Sequence, residues 1–252
     1  MKTLRDIGLL FQRQFSMQLR NPTWLFVGFS SPVLYLALFT PLLKHFEGPT
    51  SSTGRVLDSF FPGILALLAF ASGTAQGFNT IFELRAGVIE RLRVTPASRF
   101  AILAGPLVSA LTFVYIFDAI AAAVAWAFGF QVHWLGLLVL AVLLGLFMVT
   151  MSAWSVATAL VTKEISGFAA IMNGLNLPLL LLAGVLLPIS YGPAWLRGLA
   201  HVDPLYYVVD AARALGAGTL SGENVWLGFA VIVPLCALVL AWTTNVFRKA
   251  VA

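Results

Sequence analysis

Long apolar runs separated by sparse charges dominate the chain. The stretches 21–43, 59–82, 100–117, 119–162, 165–196 and 224–247 hold 23, 24, 18, 44, 32 and 24 residues without Asp, Glu, Lys or Arg. A helix needs about 20 apolar residues to cross a bilayer. In hydrocarbon every backbone polar group must be paired internally, so spans are helices or closed barrels. Barrel strands alternate polar and apolar positions, whereas these runs are continuously apolar. The 44-residue stretch is too long for one span. Gly129-Phe130-Gln131-Val132-His133-Trp134 supplies a turn within it, with aromatic residues suited to a membrane interface. The pattern predicts an all-α polytopic fold, one transmembrane domain over 1–252. Its six spans fall at roughly 24–43, 61–82, 100–128, 135–161, 165–189 and 225–247.

Three segments are patterned differently. In 2–20, Leu4, Ile7, Phe11, Phe15 and Leu19 recur every three to four residues, with Lys2, Arg5, Asp6, Arg13, Ser16 and Arg20 opposite. That is an amphipathic helix lying in the headgroup plane, ended by Pro22. It reads either as an anchor or as a gate, through Phe11, Arg13 and Phe15, that guides substrate in from the inner leaflet. Segment 83–99 carries Glu83, Arg85, Glu90, Arg91, Arg93 and Arg99, with Val88, Ile89 and Leu92 on one side of a short helix. That apolar side favours a docking element over a plain connector. Segment 190–223 is rich in aromatic and apolar residues, and Asp203-Pro204 splits it into two short helices. It reads as a lid or re-entrant hairpin, in which Asp210 and Arg213 stand at i, i+3 and can pair.

Composition agrees with this reading. Apolar residues make up 60% and charged residues 10%, and mean hydropathy is +0.94. A soluble domain has about 25% charged residues, so this chain cannot clothe a water-facing surface. With the N-terminus inside, the inner segments hold 11 of the Lys and Arg residues and the outer segments 4. That bias predicts both termini in the cytoplasm, and makes the net charge of +5 a topology signal, not a sign of nucleic-acid binding. No cleavable leader is expected, because the first apolar run starts late and is long enough to span. The lone Cys236 cannot form an internal bridge.

The chain carries no G-x-x-x-x-G-K-[ST], G-x-S-x-G or H-E-x-x-H pattern. His45, His133 and His201 lack metal-ligand spacing to Cys or Glu. No catalytic or metal-binding residue is therefore assigned. The one ionisable residue within a span is Asp118, which should face protein or water. The favoured reading is a paired structural carboxylate near the outer end of a long third span; the alternative is a substrate or proton contact. Gln76, Asn79, Asn173, Asn176 and the Gly73/Gly77 pair read as helix-packing features.

An amphipathic helix, six spans, a charged loop after the second and a helical hairpin before the sixth together resemble the permease subunit of type-2 ABC exporters. The likeness is to the short daunorubicin-resistance branch and covers nearly the whole chain. It rests most on Glu90-Arg91-Leu92-Arg93-Val94-Thr95-Pro96 and on Asp203-Pro204-Leu205-Tyr206-Tyr207-Val208-Val209-Asp210-Ala211-Ala212-Arg213, with Asp203 where that family often has Asn. The resemblance implies two cytosolic ATPase subunits that bind ATP and Mg, and a second permease, identical or homologous. It makes 83–99 the coupling helix and implies export of an amphiphilic or lipid-like compound across a bacterial or archaeal cytoplasmic membrane. A lipid-linked glycan as cargo and an ion-coupled carrier are the alternatives.

Overall fold

A computed structural model describes residues 2–47, 53–88, 91, 99–185, 189 and 192–251. Among them the chain is helical, without strands. The helices are α1 (Lys2–Leu19), α2 (Pro22–Glu47), α3 (Thr53–Arg85), α4 (Arg99–Ala127), α5 (Trp134–Thr162), α6 (Ile165–Leu182), α7 (Ala194–Ala200), α8 (Pro204–Gly216) and α9 (Glu223–Val251). Five of them, α3, α4, α5, α6 and α9, are long and apolar enough to cross a membrane. α2 is helical over 26 residues, with a shorter apolar stretch, Leu25–Leu38, among its described residues. The chain is a polytopic membrane protein.

α5 is the central helix and packs most extensively against α3 and α9. Its buried face, with Leu140, Leu143, Leu144, Phe147 and Met148, meets Phe61, Ile64, Leu65 and Phe70 of α3 and Val208, Ala211 and Leu215 of α8. Two polar ties fix the register. Ser155 Oγ donates to Thr74 O at 2.6 Å and accepts from Gly77 N at 2.9 Å. Thr243 Oγ1 of α9 donates to Ala153 O at 2.8 Å. In a membrane such interhelical bonds and small residues replace the hydrophobic drive. Gly73 and Gly77 are the small residues here: a Cβ on Gly73 would meet Met151 and the α5 backbone, and one on Gly77 would meet Phe168 and Ser155. The packing role expected of this pair is the one they play.

Contacts between helix ends define two ends of the bundle. The start of α3, the α4–α5 turn and the α7–α8 hairpin share the Asp58 end, where His133 Nδ1 lies 3.3 Å from Gly216 O. The end of α3 and α1 share the Glu83 end, where the Arg13 guanidinium lies 3.9 Å from Glu83 Oε1. α6 stops earlier than its charge-free run suggested, at Leu182 instead of 189. Gly184 takes φ +64°, the left-handed conformation that closes a helix, and the chain turns there.

Candidate functional site

At the Glu83 end, α1 lies against α4. Phe11 stacks on Phe15 at 5.3 Å and Phe15 on Phe113 at 4.8 Å. Phe113 and Phe117 continue the row at 6.0 Å, and Phe29 of α2 meets Phe117 edge-on at 5.2 Å. Two of the predicted gate residues thus start an aromatic ladder that links α1, α4 and α2; the third, Arg13, reaches α3. Leu4 is 74% exposed and Leu19 48%, while Gln14 is buried and Leu10 touches Gly105. α1 has apolar residues on two sides, one packed on protein and one exposed, and periodicity alone cannot separate them.

Gln14 is a functional candidate that sequence reasoning missed. Together with Gln76, Asn79, Thr80 and Glu83 of α3 and Ser152 of α5 it lines a polar cavity of about 50 Å³. Gln76, Asn79, Thr80 and Glu83 follow i, i+3, i+4, i+7 spacing, which puts them on one face of α3. Thr80 Oγ1 donates to Gln76 O at 2.9 Å. The Oε1 atoms of Gln14 and Gln18 are buried without a hydrogen-bond partner. The cavity is large enough for ordered water, so polar groups line part of the contact between α1 and α3.

The charged segment leaves directly from this pocket. Arg85 is exposed in the last turn of α3, where a cation complements the helix dipole. Gly87, at φ +65°, ends the helix. Arg91 N then donates to Gly87 O at 3.2 Å, and Arg91 is exposed. Ile89, Glu90 and residues 92–98, with Arg93 among them, lie outside the described residues.

At the Asp58 end the hairpin is tied into the bundle by a helix cap and hydrogen bonds. Two short helices flank Asp203-Pro204, as predicted. Asp203 caps α8: its Oδ1 accepts from Leu205 N at 2.9 Å, and Pro204 fills the first turn. Asp203 Oδ2 is buried and unpartnered. Burial pushes this carboxyl up to about 6, against the lowering effect of the Leu205 N–H. Tyr206, Tyr207 and His201 form a ring cluster, with Tyr206 and Tyr207 at 5.4 Å, and Tyr207 OH donates to His201 O at 3.0 Å. Burial raises the Tyr206 phenol, and Asp210 and Tyr207 add to the effect.

Arg213 has a role the sequence did not suggest. Its Nη2 donates to Gly184 O at 2.6 Å, bolting α8 to the turn after α6. Burial lowers the guanidinium, opposed by the attraction of Asp210 and Tyr206. The expected Asp210–Arg213 partnership persists as attraction: burial raises the Asp210 carboxyl and Arg213 pulls it back down. Nearby, burial also raises Asp58, opposed by a backbone hydrogen bond from Gln131 and by His133.

Asp118 sits partway along α4 with its Oδ1 enclosed and without a hydrogen-bond partner, unlike the paired structural carboxylate expected of it. It lines a cavity of about 510 Å³ between α4 and α5. The remaining intramembrane amides are on α6: Asn173 is exposed, and Asn176 has a buried Oδ1 without a partner. Among the described residues no group of three or more His, Cys, Asp and Glu side chains could hold a metal ion.

Known proteins are similar to this chain in sequence. The family model described as "ABC-2 type transporter" matches residues 5–215. "Putative transport permease ycf38" of Cyanophora paradoxa is 30% identical over 217 residues, covering 84% of this chain and 74% of that one. The protein of the same name from Porphyra purpurea is 25% identical over 223 residues, covering 86% and 75%. Membership of the family implies an ABC ATPase subunit as partner. The matched region takes in most of α1 and of the polar pocket, the charged segment and the hairpin up to Leu215, and by that match the chain belongs to the ABC-2 type transporter family.

Proposed function

We propose that the chain is the membrane subunit of an ATP-driven exporter of the daunorubicin-resistance type. Its cargo is an amphiphilic or lipid-like compound taken from the cytoplasm or the inner leaflet. Two cytosolic ATPase subunits bind ATP and Mg and do the hydrolysis. The membrane is a bacterial or archaeal cytoplasmic membrane, with both termini inside.

One observation carries the reading. The amphipathic helix and the start of the charged segment occupy the same end, tied by Arg13–Glu83. An entrance between leaflet and protein and a lever on the ATPase are therefore adjacent. Closure of the ATPases pulls the segment after Glu83, and the polar pocket around Gln14 and Gln76 yields first. A second permease copy is supported by α6, which exposes Asn173 together with Leu175, Leu177 and Leu181. An amide on a membrane helix needs protein or water opposite it.

The test is reconstitution in liposomes with the ATPase, following ATP-dependent transfer of a fluorescent short-chain phospholipid between leaflets. Transfer that needs both subunits and ATP is expected. Transfer that runs without ATP, driven by a proton or sodium gradient, contradicts the proposal.

A further inference from the structure

The cavity that Asp118 lines is placed away from the polar pocket and from the charged segment. Small residues create it: Ala119, Ala122 and Ala123 of α4 face Ala141 of α5, and Trp126 and Trp134 stand at its mouth. The α4 alanines recur at three- and four-residue spacing, on the same face as Asp118 and Trp126. Asp118 lies eight residues before Trp126 on α4, roughly 12 Å along the axis at about 1.5 Å per residue. Its volume of about 510 Å³ falls within the roughly 300–1,000 Å³ of small-molecule sites. Its lining side chains are apolar apart from the carboxyl of Asp118, the phenol of Tyr115 and the indoles of Trp126 and Trp134. Tyr115 OH is already engaged, donating to Ala141 O at 3.2 Å. Asp118 Oδ1 has no partner. An enclosed carboxyl oxygen without a donor is costly, and none of the described residues donates to it.

We propose that this cavity is a binding site for an amphiphilic amine, with the nitrogen on Asp118 and the apolar body along the alanine floor towards Trp126 and Trp134. An amine is the chemistry that fits. It donates a hydrogen bond to the Asp118 carboxyl, and charge-assisted bonds are stronger than neutral ones. A fatty acid would set a second carboxyl beside the first. A phospholipid headgroup amine does not fit, because headgroups sit at the level of interfacial tryptophans and Asp118 lies well below Trp126. Trp126 and Trp134 are 68% and 76% exposed, which leaves the mouth open sideways to lipid. The site differs in place and chemistry from the entrance at α1, and its occupancy does not depend on ATP or on the transport reading.

The experiment uses the full chain in nanodiscs of phosphatidylcholine, a lipid without net charge, and radiolabelled dodecylamine and dodecanol. Binding is counted as the excess over empty discs. Saturable binding of dodecylamine at one site per chain is expected, with dodecanol weaker. Asp118→Asn keeps the side-chain shape and should weaken dodecylamine about tenfold or more while leaving dodecanol unchanged. Ala123→Phe fills the cavity with the carboxyl intact, at a position exposed in the fold, and should abolish binding of both. Equal affinity for amine and alcohol, or wild-type amine binding by Asp118→Asn, would mean that the cavity holds only hydrocarbon chains. Retention of amine binding by Ala123→Phe would place the amine elsewhere. Either result overturns the proposal, as does the absence of saturable binding.

Discussion

At the Asp58 end, α8 buries Leu205, Val208, Val209, Ala211, Ala212 and Leu215, capped by Asp203 and bolted through Arg213 to Gly184. At the Glu83 end, α1 lies on the surface, a small polar cavity separates it from α3, and one partly exposed ion pair bridges the gap. α8 is cross-linked through buried groups, whereas α1 is held by a ladder of rings and by polar contacts that water can replace. Local stability follows the density of buried apolar contacts.

Substitutions that weaken the Asp58 end should therefore unfold the protein, and those at the Glu83 end should spare stability. The largest effect is expected from Leu215→Ala, because Leu215 is fully buried. Emptying such a site costs about 2–5 kcal/mol, read as a lower midpoint in denaturant unfolding of the purified permease. A loss of similar size from Leu4→Ala at the exposed face of α1 would erase the contrast. Next comes Arg213→Met, which leaves the Gly184 carbonyl without its donor. A loss of about 1–3 kcal/mol is expected, together with faster proteolysis near the end of α6. An unchanged cleavage pattern would mean that the bolt is idle.

Asp203 sharpens the comparison through pH. Its carboxyl is raised to about 6 in the fold, against about 3.9 for a free aspartate. Between these values the folded state holds more proton than the unfolded one. The Asp203 contribution is then present below about pH 4 and is lost as pH rises through about 6. Asp203→Asn keeps an N-cap and should remove this part of the pH dependence of the melting temperature. A mutant curve parallel to wild type from pH 4 to 7 would contradict the assignment. The smallest effect on stability is expected from Arg13→Ala. Exposed pairs contribute about 0–1 kcal/mol, so the melting curve should hardly move.

Much of this was legible in the sequence. Charge-free runs marked the spans, Asp203-Pro204 marked the split in the hairpin, and Gly73/Gly77 marked a close helix contact. The rest depended on partners far along the chain. Ser155 and Thr243 look like ordinary hydroxyls inside apolar runs until their acceptors on neighbouring helices are known. Arg213 has an obvious partner one turn away in Asp210, which concealed the carbonyl of Gly184. Gln14 read as one more polar residue of an interfacial helix, because nothing local shows that α1 turns it towards α3. Asp118 stood out by its charge, but the cavity beside it is made of alanines, which give no signal in a span.

The central claim is that the Glu83 end is where the ATPase acts. Topology can be checked first: Thr50→Cys and Leu220→Cys should label from outside and Thr95→Cys should not, with the native Cys236 buried. The direct measurement is co-purification of the ATPase with two charge reversals, one in the segment after Glu83 and one at the opposite end. Glu90→Lys should lose the ATPase, or keep it without cargo-stimulated ATP turnover, while inserting normally in the membrane. Arg197→Glu, exposed on α7, should keep both. Wild-type binding and turnover in Glu90→Lys would reduce the charged segment to a connector and move the search for the transmission site to α1.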